Sequence, residues 1–108
     1  MEEKYTKTDI PEAVDRLGIN EDIIKSIIKK VLDGNELDLA EKAFQEGDLA
    51  ESKLHIHTIK GAGKNLGLTG LAQLALDIET KIIEDSFLDM ELLKQMRTIW
   101  EELKSEFC

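Results

Sequence analysis

Apolar residues recur at steps of three and four along nearly the whole chain, the spacing of amphipathic α-helices, and capping residues fall between the repeats. Asp9 followed by Glu12 has the form of a capping box, Pro11 sits in the first turn where its missing N–H costs nothing, and Gly18 closes a short helix. Asn20 caps the next helix, on which Ile23, Ile24, Ile27, Ile28, Val31 and Leu32 form a broad apolar face. Asp33-Gly34-Asn35 kinks or breaks it; the pattern resumes with Leu37, Ala40 and Phe44 and stops at Gly47. Asp48 with Glu51 is a second capping box, opening a helix that runs to about Leu66, ahead of Gly67. A further helix is predicted from about Thr69 to Glu84, with Leu71, Leu74, Ala75, Ile78 and Ile82 inside. Asp89 begins the last, with Leu92, Leu93, Met96, Trp100, Leu103 and Phe107 facing inward. Short connections make consecutive long helices antiparallel neighbours. The expected fold is therefore all-α: one domain over residues 1–108, an up-down four-helix bundle with a short N-terminal helix and a kink or break near Gly34.

Composition narrows the function classes. Hydrophobic residues make up 42 % and charged residues 34 % of the chain, as in a folded globular domain. The formal charge is −9, so phosphate backbones repel the protein and nucleic acid is not an expected partner. No apolar run reaches the roughly 18 residues of a membrane span, and MEEKYTKTD lacks a signal-peptide core. The one cysteine, Cys108, can form neither an internal disulfide nor a cysteine metal cluster, and points to the reducing cytoplasm. No metal or other cofactor is expected, since there is no Gly-rich phosphate loop, triad or paired-carboxylate site. Met1 and the lack of a trailing linker suggest a complete small protein, expected to be monomeric; a domain cut from a larger kinase is the alternative.

The helix from Asp48 to Leu66 holds the candidate chemistry. At about 100° per residue its core stripe reads Leu49, Ser52, Ile56, Ile59, Gly63 and Leu66. A second stripe, one residue around, reads Lys53, His57, Lys60 and Lys64, which puts His57 at the edge of the packed face. Three lysines here outweigh Asp48 and Glu51, so this segment carries +1 against −10 for the remainder. A dianionic phosphoryl group would need such a cluster of cations around a histidine. Gly61 and Gly63 lie inside the helix, each costing roughly 1 kcal/mol relative to alanine. Gly61, at i+4 from His57, would leave room for another protein's active site to close over the ring, unless it is simply a tolerated packing glycine. Gly63, on the core stripe, reads as a site of close helix approach.

If the turn between this helix and the next centres near Leu68, His57 lies eleven residues before it and Glu79 eleven after. Glu79 is then at the height of the ring and able to accept a hydrogen bond from Nδ1–H, leaving Nε2 free; otherwise it is an ordinary solvated residue. His55 and His57 point roughly 200° apart and cannot chelate one ion, so His55 reads as a boundary histidine. Leu54, a turn before His57, is either part of a docking patch or one of the single exposed leucines common on any surface.

The stretch His57-Thr58-Ile59-Lys60-Gly61-Ala62-Gly63-Lys64-Asn65-Leu66-Gly67 resembles the signature of the histidine-containing phosphotransfer (HPt) domain family. Ile10 to Gly18 looks like that family's leading helix, and Glu46-Gly47-Asp48 like the turn before its histidine helix. The resemblance spans about residues 9 to 107. It implies that His57 accepts a phosphoryl group from the aspartate of a receiver domain and donates it to another, with Lys60 over the phosphoryl oxygens and Lys64 adding to the field. It also implies magnesium supplied by the receiver and no phosphorylation from ATP by the chain itself. Two other functions stay open: a helical adaptor or inhibitor that docks a receiver or kinase without phosphorylation, and a structural helical subunit.

Overall fold

A computed structural model describes residues 5–107 of the chain, and all of their regular structure is helical. In chain order the helices are α1 (Ile10–Leu17), α2 (Glu21–Asp33), α3 (Glu36–Gln45), α4 (Leu49–Asn65), α5 (Thr69–Asp85) and α6 (Met90–Phe107). α4 packs along α5 on one side and α3 on the other. α6 packs against α2, α5 and α3, and α1 rests on α2. Ile24, Ile28 and Leu32 of α2, Ile56 and Ile59 of α4, Leu71, Leu74 and Ile78 of α5, and Met96, Ile99 and Trp100 of α6 share one apolar cluster. Each large side chain buried there contributes about 1.5–3 kcal/mol.

The caps fall where the sequence puts them. Oδ1 of Asp9 accepts from the Glu12 N–H, that of Asn20 from Ile23, that of Asp48 from Glu51 and that of Asp89 from Leu92. Neither capping box is reciprocal, however. The Asp9 N–H donates to the Gly67 carbonyl at 2.7 Å and the Asp48 N–H to Ala43. Glu12 instead pairs with Arg16, and Glu51 with His55. An N-cap N–H already bonded elsewhere has no use for the returning carboxylate, which is left for a neighbour one turn on. Burial opposes ionisation of Asp89, but the hydrogen bonds from Lys81 and the Leu92 N–H outweigh it and hold the carboxyl below its ordinary range.

α2 and α3 are separate helices. The break at Gly34–Asn35 is pinned from α6 by the buried Trp100 indole, which donates to the Leu32 carbonyl at 2.9 Å. The broad apolar face expected of α2 is narrower in the fold: Ile23 and Ile27 are exposed, as is Leu49 at the start of α4, because a single layer of neighbours covers only one edge of each stripe. Phe107 is half-buried against the core.

Residues 5–9 form a strap across the α4–α5 turn. Tyr5 is buried, with its hydroxyl donating to Asp77 at 2.6 Å, and the Lys7 carbonyl accepts from the Gly70 N–H and the Thr69 hydroxyl. Leu68 gives α5 no side-chain cap, so the strap's carbonyl takes that place. At Gly67, φ is +78° and an added Cβ would stand 2.6 Å from the Asp9 carbonyl oxygen, so both conformation and space require glycine.

Candidate functional site

α4 is anchored by Ser52, Ile56, Ile59 and Gly63 on its inner side, which fixes what its outer side shows. His57 lies one residue around from Ile56 and its side chain is 64 % exposed. The three-residue turn at 66–68 returns the chain as α5 and sets Glu79 opposite the ring. Glu79 is buried; its Oε2 lies 2.7 Å from His57 Nδ1 and its Oε1 2.6 Å from Lys60 Nζ. Burial opposes ionisation of this carboxyl, but the hydrogen bonds from Lys60 and His57 and the charge of Lys60 prevail and hold it below its ordinary value. An ionised carboxylate can only accept, so Nδ1 carries the hydrogen and a neutral ring keeps its lone pair on Nε2. Nε2 has no hydrogen-bond partner among the described residues.

The structure therefore brings together His57, Lys60 and Glu79. Lys60 is not extended into solvent above the ring; its side chain is 25 % exposed and its ammonium lies on Glu79. Lys64, a turn further on, is exposed and lines a cleft between α1, α4 and α5 with Lys60, Arg16 and Leu76. A Cβ added at Gly61 would meet nothing within 4 Å, whereas at Gly63 it would lie 3.2 Å from both the Ala72 nitrogen and the Leu68 oxygen. Gly63 is thus a glycine of close helix approach, and within the folded chain nothing explains Gly61.

His55 has a different setting. Its side chain is 16 % exposed, with Nδ1 3.0 Å from Glu36 of α3 and Nε2 3.2 Å from Glu51 of α4. Among the described residues no three His, Cys, Asp or Glu side chains form a metal-binding group, and no helix is long and apolar enough to cross a membrane.

Two exposed apolar residues of α5 are not marked by the sequence pattern. Ile83, 61 % exposed, lines a cleft with Leu54, His57 and Glu79, and Leu76, also exposed, lines the cleft that holds Lys60 and Lys64. They stand at i+4 and i−3 from Glu79, so placing that residue opposite His57 places them as well. Leu54 is 54 % exposed and faces the same cleft.

No curated protein and no solved structure matches the chain. The family model of the Hpt domain does, over residues 34–106, from the break ahead of α3 to the last turn of α6; α1 and α2 lie outside it. Hpt domains are phosphocarriers of two-component phosphorelays, in which a histidine bears the phosphoryl group. A match over most of the chain, taken with an exposed imidazole held by one nitrogen, leads to one assignment: the chain belongs to the Hpt domain family.

Proposed function

We propose that the chain carries a phosphoryl group on Nε2 of His57, exchanging it with the aspartates of receiver domains. The observation that supports this is the exposed ring whose Nδ1 is taken by the buried Glu79, so that the nitrogen left with a lone pair is the one open to a partner. The Nε2 lone pair attacks phosphorus, the N–P bond forms, and the acyl-phosphate P–O bond breaks with its electrons passing to the receiver's carboxylate. Glu79 offsets the charge the ring acquires. Lys64 and Lys60 supply positive charge to this side of an acidic protein, and Gly61 leaves the space into which the receiver's site, with its magnesium, closes. The chain acts as a carrier, phosphorylated by its partner and not from ATP.

The same reading takes the described helices as one domain. Its four members are α2 with α3 across the break, then α4, α5 and α6 in up-down order, supported by short connections and a shared core. It also takes the protein as a cytoplasmic monomer that does not bind nucleic acid, in keeping with its single cysteine and its charge of −9.

The test is incubation with a phosphorylated receiver domain, followed by assay for acid-labile, base-stable phosphate on the chain. Wild type labels and His57→Gln does not; equal labelling of the two would sink the proposal. A His57→Gln protein that binds receivers and acts in cells like wild type would favour the phosphorylation-independent adaptor.

A further inference from the structure

The position of Lys60 separates two ways in which a cation could serve His57. One would extend its ammonium past the ring's own partners to the phosphoryl group itself. The Lys60 Nζ lies instead 2.6 Å from Glu79 Oε1, while Oε2 of the same carboxylate lies 2.7 Å from His57 Nδ1. One carboxylate, 7 % exposed, joins the two residues, and each of its oxygens has one of them as partner. We propose that Lys60 governs phosphoryl exchange through Glu79: it is a positioning residue that keeps this carboxylate charged and seated on Nδ1, and so keeps Nε2 available. This rests on His57 being the phosphoryl acceptor.

The physical reason is the burial of Glu79. A carboxylate withdrawn from water stays ionised only while its oxygens are paired. Removing the ammonium leaves Oε1 without a partner, and Glu79 then takes up a proton or turns outward to solvent. Either change takes the charged acceptor away from Nδ1. A protonated carboxyl would moreover donate to Nδ1 and shift the ring hydrogen to Nε2, the wrong nitrogen for attack. During transfer the Nε2 lone pair forms the N–P bond as the P–O bond to the donor aspartate breaks, and the ring becomes a cation with Nδ1–H still donated to Glu79. In the return step the acceptor carboxylate forms the new P–O bond, the N–P pair returns to Nε2, and the neutral ring regains its starting tautomer. An amide at position 79 would accept from Nδ1–H without needing a cation beside it, and this difference separates the two roles of Lys60.

The experiment is a double-mutant cycle on the full chain, with Lys60→Met and Glu79→Gln made singly and together. Phosphoramidate serves as a donor that needs no cognate receiver, and long-range ¹H–¹⁵N NMR of the His57 ring reports the tautomer. Lys60→Met is expected to slow labelling about tenfold, the lower end of what is lost when a group orienting a functional imidazole is removed. It should also move ring hydrogen toward Nε2, and Lys60→Arg should restore both readouts. In the Glu79→Gln background Lys60→Met should change the rate by less than about twofold, since the residue through which it acts is gone. An equal loss in both backgrounds, with the tautomer unmoved, would overturn the proposal and give Lys60 a direct contact with the phosphoryl group. Labelling of His57→Gln at the wild-type rate would instead remove the acceptor itself, so the two failures are distinct.

Discussion

Two histidines stand two residues apart on α4, each beside carboxylates, and only one keeps a ring nitrogen open to a partner. On its side of the helix His55 closes the contact with α3: both ring nitrogens face acidic oxygens, from Glu36 and Glu51, and the ring is mostly covered. His57 has one carboxylate, on Nδ1 alone, and the rest of the ring is open. The glycines repeat the contrast, Gly63 being filled by the α4–α5 contact and Gly61 facing empty space. Neither a histidine nor an acidic neighbour marks the proposed site. What marks it is a nitrogen, and a patch of helix, that the fold leaves unused.

Exchanging the two histidines' fates would break this comparison most sharply. His57→Gln should abolish acid-labile phosphorylation by a phosphorylated receiver, while His55→Gln should label like wild type; the reverse result would mean that the wrong side of α4 has been assigned. Next in size are the glycines. Gly63→Ala forces a methyl against two backbone atoms at 3.2 Å, a cost of about 1–3 kcal/mol that helix propensity offsets by about 1 kcal/mol. A net loss should appear in the denaturation midpoint followed by Trp100 fluorescence, with labelling of the folded fraction unchanged. Gly61→Ala should do the opposite, raising stability by up to about 1 kcal/mol while slowing transfer from a receiver, because the new methyl meets only the partner.

The pH dependence of stability sharpens the picture of Glu79. Its carboxyl is held below its ordinary value of 4.5 in the fold, so its contribution is complete above that pH and fades as pH falls through the lower folded value. Asp89 acts in the same sense from its ordinary 3.8. Midpoints measured from pH 6 downward should therefore fall, and Glu79→Gln should flatten the slope; an unchanged slope would mean that Glu79 is not ionised in its site. The smallest effect is expected at the His55 contact. Glu36→Ala removes a partly exposed pair and should cost no more than about 1 kcal/mol, with labelling by a receiver intact.

The local features of this fold were readable from the sequence, and the long-range ones only where counting could reach them. Asp9, Asn20, Asp48 and Asp89 cap helices as their positions suggest, since a cap depends on residues three apart. Glu79 opposite His57 follows from a symmetric hairpin. The second half of each capping box failed because the Asp9 and Asp48 N–H groups are taken by Gly67 and Ala43, carbonyls that no local pattern points to. The strap at Tyr5 to Asp9 likewise depends on partners at 67 to 77. The pattern puts Lys60 on the right stripe and is silent on its partner Glu79: a periodic pattern states the direction in which a long side chain leaves the helix, and not where a flexible ammonium comes to rest.

The spacing of the site's partners also bears on how the molecule assembles. Glu79 meets His57 across 22 residues and Lys60 across 19, closed by a three-residue turn, while the strap's contacts span 62 and 72. The entropy of closing a loop rises with its length, so the α4–α5 hairpin, with its triad, is the unit that chain statistics favour to form early. The strap can lock only after that hairpin has presented its turn. The proposed site is therefore organised within a single local folding event, and the strap that precedes α1 is among the last segments to find its place.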